Sequence, residues 1–196
     1  MLYNTLPGSG ESFAYTTVAT PIAVDASGNA YATGMTSSAD FPVTAGAVQT
    51  VLAGPQNVFV AKLDAGGNRV YETFLGGSGF DQGLAIQVDA AGNISLAGTT
   101  TSLDFPTTVG AYLAQALMPP RLAVPGGFAA KISPAGALLY STYIVGGMAS
   151  DGTYAVLNMI PDPFGGAYVA GVSGPGLAVT LSAIQTPAFR SGWHLH

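Results

Sequence analysis

The chain has 196 residues and a net charge of −5, with 48% hydrophobic and only 8% charged side chains. The longest charge-free run, residues 163–189, is broken by repeated Gly and Pro, so it is not a membrane-spanning helix, which needs roughly 20 uninterrupted, mostly apolar residues. The five basic residues are scattered, which argues against a nucleic-acid partner, and the absence of cysteine excludes disulfides and thiolate metal sites.

We do not expect the first residues of this sequence to form a signal peptide. Residues 1–8 have neither a charged region nor an apolar core. Either the protein stays in the cytoplasm, or this chain is an internal piece of a longer secreted protein. In the second case we expect an extracellular or cell-surface location.

Three copies of one unit follow one another, and each opens with a short strand. These strands, at residues 2–6, 70–75 and 139–144, contain an aligned tyrosine and lead into a glycine-rich turn. Alternating side chains followed by glycines predict a strand that ends in a turn.

An inner hairpin comes next, around an Asp-x-x-Gly-Asn turn. The Asp carboxylate can accept backbone N–H bonds within the turn, and Gly and Asn tolerate a positive φ. We assign a structural role to the turn residues Asp25, Gly28, Asn29, Asp89, Gly92, Asn93, Asp162 and Gly165. A calcium loop needs several oxygen ligands at alternating positions, and each of these turns offers a single carboxylate. No cofactor is therefore expected, and a calcium-stabilised repeat is kept as an alternative.

A loop containing Asp-Phe-Pro and a last strand complete the unit. The loop occurs at residues 40–42 and 104–106 and is lost from the third copy, while the strand occurs at residues 58–63 and 127–132. The turn after this last strand is expected to lead into the next copy.

The pattern predicts an all-β fold. Each unit has about four short antiparallel strands and no helical periodicity, which favours a β-propeller blade over an α/β solenoid. The period of 64 to 69 residues exceeds the roughly 40 to 50 residues usual for a blade, and the excess lies in the Asp-Phe-Pro loop region. We expect one repeat domain that forms an open or partial propeller, with blades at about residues 1–68, 69–137 and, incomplete, 138–196.

These motifs resemble a known repeat. The order Tyr-x-Thr-Phe-Leu-Gly-Gly-Ser-Gly, Val-Asp-x-x-Gly-Asn, Thr-Ser-x-x-Asp-Phe-Pro and Phe-Val-Ala-Lys-Leu is similar to the bacterial seven-bladed β-propeller repeat family, the SBBP repeats. The resemblance covers nearly the whole chain. It implies one blade per unit in a large secreted or cell-surface protein, and it transfers no catalytic residues.

Candidate binding residues lie in the Asp-Phe-Pro loops. Asp40, Phe41, Asp104 and Phe105 would form a ligand-contacting rim, since propeller loops commonly hold binding sites. Alternatively, each Asp caps its turn and each Phe fills space under the edge of the blade. Another set of acidic residues, which either rings a channel or caps the turn after the paired glycines, comprises Glu11, Asp81 and Asp151.

Repetition argues against catalysis. A catalytic site needs different groups from different blades, whereas recurring residues such as Lys62 and Lys131 are expected to do the same structural work in each copy. The only histidines, His194 and His196, lie in the terminal stretch 193–196, which is the least repeat-like part, so we expect no metal site there.

The expected function is a non-enzymatic scaffold or binding module. Its partner would be a protein or carbohydrate, further blades of a longer chain, or another copy of itself. A propeller-borne lyase or glycoside hydrolase acting on polysaccharide, with carboxylates from neighbouring blades as its acids, is the enzymatic alternative.

Overall fold

The computed structural model describes residues 21–115, 126–144, 155–161 and 167–172. These residues form ten strands: β1 (Ile22–Val24), β2 (Ala30–Thr36), β3 (Asn57–Leu63), β4 (Arg69–Leu75), β5 (Asp81–Val88), β6 (Ile94–Thr100), β7 (Gly126–Ile132), β8 (Leu138–Ile144), β9 (Ala155–Pro161) and β10 (Ala167–Val172). No helix occurs among them. The all-β prediction is therefore confirmed.

The strands form three separate antiparallel sheets, and none of them closes on itself. The first sheet has the order β1-β2-β3-β4, the second has the order β5-β6-β7-β8, and the third pairs β9 with β10. Every pairing joins neighbours in the chain, as in the meander of a propeller blade. The expectation of four-stranded, blade-like units in an open arrangement is confirmed for the first two sheets.

The sheets do not begin where the sequence copies begin. The strand at residues 70–75, which opens the second copy, pairs with β3 and is the outer strand of the first sheet. In the same way β8 completes the second sheet and does not open a third. The turns after β3 and β7 therefore close hairpins within a sheet, and the expectation that they connect one blade to the next is wrong.

The long loop between β2 and β3 covers the outer edge of the first sheet. Thr44 exchanges backbone and side-chain hydrogen bonds with Glu72, and the Gln49 carbonyl accepts the Phe74 N–H at 3.1 Å. In the second sheet Thr108 bonds to the backbone of Ser141 in the same manner. The extra length of each repeat thus satisfies backbone groups that an open sheet edge would expose.

The main core lies between the first and second sheets. We call the side of each sheet that faces the next sheet its back face, and the opposite side its front face. The back face of the first sheet contributes Tyr31, Val58, Val60, Tyr71 and Leu75. The front face of the second sheet contributes Ile86, Ile94, Leu96, Phe128 and Ile132. A smaller cluster joins the back face of the second sheet to Met159 of β9.

A glycine contact fixes the two sheets at one end. Gly136, in the turn between β7 and β8, has φ 84°, and a Cβ at this position would overlap the carbonyl oxygen of Gly46 in the loop of the first sheet. Gly67 occupies the same place in the turn of the first sheet with φ 82°, but a Cβ there would meet no described atom within 4 Å.

No helix in the described part of the chain is long and apolar enough to cross a membrane.

We expect Gly136→Ala to destabilise the protein more than Gly67→Ala. Both changes place a side chain at positive φ, which costs about 1–2 kcal/mol. Only the change at residue 136 also forces the two sheets apart, which adds roughly 1–3 kcal/mol. Urea unfolding of the two variants measures the difference, and equal losses would show that the glycine contact does not hold the sheets together.

Candidate functional site

The polar residues singled out in the sequence lie at two opposite rims of the sheets. The hairpin rim carries the turns that join β1 to β2, β3 to β4, β5 to β6 and β7 to β8. The loop rim lies at the other strand ends and carries residues 37–43, 76–80 and 101–106. The antiparallel order of the strands separates these two rims by the length of a strand.

Asp25 organises the first turn of the hairpin rim. Its carboxylate accepts the backbone N–H groups of Ser27 and Asn29 at 2.9 and 3.0 Å, and the Asn29 side-chain amide at 2.7 Å. Gly28, at φ 80°, donates its N–H to the Asp25 carbonyl, which closes a three-residue loop. The Asn29 hydrogen bond is the main cause that lowers the pKa of Asp25 to about 2.

Asp89 forms the corresponding turn of the second sheet. It accepts the backbone N–H groups of Ala91 and Asn93 and the Asn93 amide at 2.8 Å, with Gly92 again at φ 80°. Burial raises the pKa of Asp89, but hydrogen bonds from Asn93 and from Lys131 outweigh burial and lower the pKa to about 2. The same local geometry thus recurs in both described Asp-x-x-Gly-Asn turns.

The two sheets differ in the residue that completes each turn. In the first sheet the Tyr31 hydroxyl donates to Asp25 at 2.8 Å, and Lys62 Nζ lies 5.1 Å from the centre of the Tyr31 ring. In the second sheet the equivalent of Tyr31 is Ser95. Its side chain is too short to reach Asp89 and leaves space beside that carboxylate.

Lys131 occupies the space beside the Asp89 carboxylate. Its Nζ lies 3.0 Å from the Asp89 carboxylate, and the lysine side chain is buried. The expectation that Lys62 and Lys131 do the same work is therefore wrong, because the residue at position 31 or 95 decides which group reaches the carboxylate.

A cavity of about 180 Å³ lies between the first two sheets at the hairpin rim. Tyr31, Lys62 and Tyr71 form its wall on one sheet, and Pro134 closes it from the other. Pockets for substrates or cofactors usually measure about 300–1,000 Å³. This cavity therefore has room for a few small polar molecules and not for a sugar chain.

At the loop rim, Asp104 holds the glycine turn that precedes β5. Its carboxylate accepts the backbone N–H of Ser78 at 2.8 Å and the Ser78 hydroxyl at 2.9 Å. The Ser78 N–H is the main cause that lowers the pKa of Asp104. Asp40, the equivalent residue in the first sheet, is exposed.

The two phenylalanines of the Asp-Phe-Pro loops lie in the core. Phe105 packs against Phe128 with ring centres 4.5 Å apart, and the Tyr143 hydroxyl accepts its N–H at 2.8 Å. Phe41 packs against Phe59 and Phe74 at 5.5 and 5.3 Å. Both rings fill space beside a sheet, as the structural alternative expects. A ligand-contacting rim stays a prediction, and of these four residues Asp40 and Asp104 are the ones at the surface.

Asp81 lies at the centre of a buried hydrogen-bond network that the sequence did not predict. It is fully buried and its carboxylate accepts hydrogen bonds from Asn57 Nδ2 at 3.0 Å and from the Gly77 N–H at 2.9 Å. The hydroxyls of Thr100 and Ser102 donate to the same carboxylate. Burial raises the pKa of Asp81 despite these donors.

The position of Asp81 had a partial signal in the sequence. The prediction that this residue caps the turn after the paired glycines agrees with its bond to Gly77. The partner Asn57 has no counterpart in the second copy, where Gly126 occupies the position, so repetition could not reveal it. The bond from Asn57 to Asp81 links β3 of the first sheet to β5 of the second.

Several predicted residues lie outside the described residues. They are Glu11, Asp151, Asp162, Gly165, His194, His196 and the rest of the stretch 193–196. Within the described ranges no three acidic or histidine side chains come together in a group that could hold a metal ion.

Comparison with known protein families identifies the repeat. A family model described as the SBBP beta-propeller repeat matches residues 12–42, a segment that includes the Asp25 turn and Asp40. The resemblance inferred from the motifs is thereby confirmed for residues 12–42. No curated protein matches the chain.

We expect Lys131→Met to raise the pKa of Asp89 from about 2 towards its usual value of 3.8, because the variant loses the ion pair. Lys62→Met is the matched control and should leave the pKa of Asp25 unchanged, because Tyr31 and not Lys62 donates to that carboxylate. Carboxyl ¹³C NMR titration measures both values.

The same substitution changes acid stability with a defined sign. A carboxylate whose pKa is lower in the folded protein stabilises it above the unfolded pKa, and this stabilisation is lost as pH falls from about 4 to about 2. Lys131→Met should therefore weaken the dependence of unfolding free energy on pH in that window. Equal pKa changes in the two lysine variants would contradict the assignment of partners.

Proposed function

We propose that this chain, which carries an SBBP β-propeller repeat, is a non-catalytic propeller module of a secreted or cell-surface protein. Its stacked sheets serve as a scaffold that presents the two rims to a protein or carbohydrate partner. The matched family model describes a structural repeat, which supports a role through surfaces.

The main observation in favour of this proposal is that the carboxylates are engaged in hydrogen bonds to the chain itself. Asp25, Asp64 and Asp89 each accept backbone N–H bonds within their own hairpin turn. Asp104 holds the Ser78 turn, and Asp81 is enclosed by donors from both sheets. A general acid or a nucleophile must reach a substrate, whereas these carboxylates use their oxygens to hold the chain in place.

The repeated geometry supports the same proposal. Asp25 and Asp89 have the same turn partners, and Phe41 and Phe105 fill the same place beside their sheets. Hydrolysis by two carboxylates needs them about 5–10 Å apart, with distinct environments and access to one sugar bond. The bonds within the two turns recur, and only the further donor changes, from Tyr31 to Lys131. Such recurring bonds are better suited to repeating a structure than to dividing acid and base roles.

The experiment is a screen of the purified chain against a panel of polysaccharides, measuring new reducing ends and unsaturated products. We expect no turnover from the wild type. Asp104→Ala should lower stability by about 1 kcal/mol through loss of the Ser78 bonds. Asp40→Ala is the matched control with an exposed side chain. Turnover in the wild type that disappears in either variant would establish the enzymatic alternative.

We also propose that the fold needs no calcium. Each described Asp-x-x-Gly-Asn turn provides one carboxylate, and its oxygens already accept hydrogen bonds from the turn itself. Adding EDTA should therefore leave the melting temperature unchanged, and adding calcium after EDTA should have no effect. A melting temperature that falls with EDTA and recovers with calcium but not with magnesium would contradict this proposal.

A further inference from the structure

Two equivalent lysines differ in whether they reach a carboxylate. Lys131 Nζ lies 3.0 Å from the Asp89 carboxylate in the second sheet. Lys62 holds the same position in the first sheet, where it is half-buried, and no carboxylate of the described residues lies within 4.0 Å of its Nζ. A charge that has left part of its water is usually paired with an opposite charge. The ion pair of the second sheet therefore shows which chemical group suits the lysine of the first.

Tyr31 is the reason for the difference between the two sheets. Its hydroxyl donates to Asp25 at 2.8 Å, and Asp25 also accepts the backbone N–H groups of Ser27 and Asn29. Lys62 Nζ instead lies 5.1 Å from the centre of the Tyr31 ring. The lysine of the first sheet thus contacts an aromatic ring where its counterpart contacts a carboxylate.

The cavity between the first two sheets lies beside Lys62. All the residues that line it belong to the described part of the chain, and Lys62 is the one charged side chain among them. Tyr31, Ile94 and Pro134 give it apolar walls, and the exposure of Val70 and Pro134 shows that it reaches the surface. Because a cavity of about 150 Å³ can hold a benzene ring, its volume of about 180 Å³ accommodates one small ring or a short carbon chain.

A second polar group in the cavity wall lacks a partner. Tyr71 lines the cavity and is 7% exposed, and its buried hydroxyl makes no hydrogen bond among the described residues. Its ring lies against the turn at Gly136, which brings it next to the part of the second sheet that closes the cavity. Burial raises the pKa of Tyr71, so the hydroxyl keeps its proton and can donate it to an acceptor.

We propose that this cavity binds a small carboxylate with an apolar or aromatic body. One carboxylate oxygen lies at Lys62 Nζ, as the Asp89 carboxylate lies at Lys131 Nζ in the second sheet. The other oxygen accepts a hydrogen bond from the Tyr71 hydroxyl. The body of the ligand fills the space between the two sheets.

The charges around the cavity favour a ligand with a single negative charge. A neutral ligand would leave Lys62 without an ion pair. Phosphate would bring up to two negative charges to a single ammonium group, close to the wall that Tyr31 and the bonded Asp25 form. It would also exchange its water for walls that are largely apolar, which is unfavourable. A monocarboxylate matches both the one positive charge and the apolar surface.

Three related compounds test the proposal by NMR titration of the full chain. Benzoate should bind saturably and shift the backbone amide signals of Ala45 and Ile94, which line the cavity. Benzamide has the same ring without the charge, and acetate has the charge without the ring. Each should bind at least about tenfold more weakly than benzoate, because each lacks one of the two interactions. Inorganic phosphate should not displace benzoate.

Two variants of the cavity and one matched control locate the site. Lys62→Met should weaken benzoate binding at least about tenfold, and Tyr71→Phe about threefold, because they remove an ion pair and a hydrogen bond. Arg69→Met removes the same charge from an exposed side chain outside the cavity and should bind benzoate as the wild type does. Circular dichroism confirms that each variant is folded.

Several results would overturn the proposal. They are a wild type without saturable benzoate binding, benzamide or phosphate binding as tightly as benzoate, and wild-type affinity in either cavity variant. A loss of affinity in Arg69→Met equal to that in Lys62→Met would do the same, because it would show attraction to the overall charge and not to this site.

Discussion

The apolar contact between the back face of one sheet and the front face of the next is the interaction on which the structure depends. A four-stranded sheet has two faces and cannot bury both by itself. Burying a side chain such as Leu96 or Phe128 contributes about 1.5–3 kcal/mol, and the first interface buries a whole cluster of them. The order of the sheets and the position of the rims follow from this contact.

Polar groups in the protein support this contact and do not compete with it. At the loop rim Asp81 joins Asn57 of one sheet to Thr100 of the next, so a buried carboxylate is satisfied by donors from both sides of the interface. At the hairpin rim the carboxylates lie in turns and remove the need for longer connections. The long loops bond to the outer strands and satisfy edges that would otherwise attract other strands.

Much of this could be predicted from the sequence, although the grouping of strands could not. The three copies of the unit are recognisable in the sequence. However, a strand such as residues 70–75 has the same residue pattern whether it is the first strand of one sheet or the last strand of the preceding one. The pairing of this strand with β3 assigns it to the first sheet, because Phe74 lies opposite Phe59 in that pairing. The burial of Phe41 and Phe105 was likewise open, since the spacing of a loop does not determine which way its ring points.

The sequence alone determined the all-β class, the repeat and the hairpin turns, because the bonds of Asp25 with Asn29 and of Asp89 with Asn93 join residues only four apart. Tertiary structure decided which strands share a sheet, how Asp81 is enclosed and which lysine reaches a carboxylate. Those outcomes depend on groups far apart in the chain. Replacement of Tyr31 by Ser95 in the second copy matters only because packing brings Lys131 to the space that the tyrosine ring would fill.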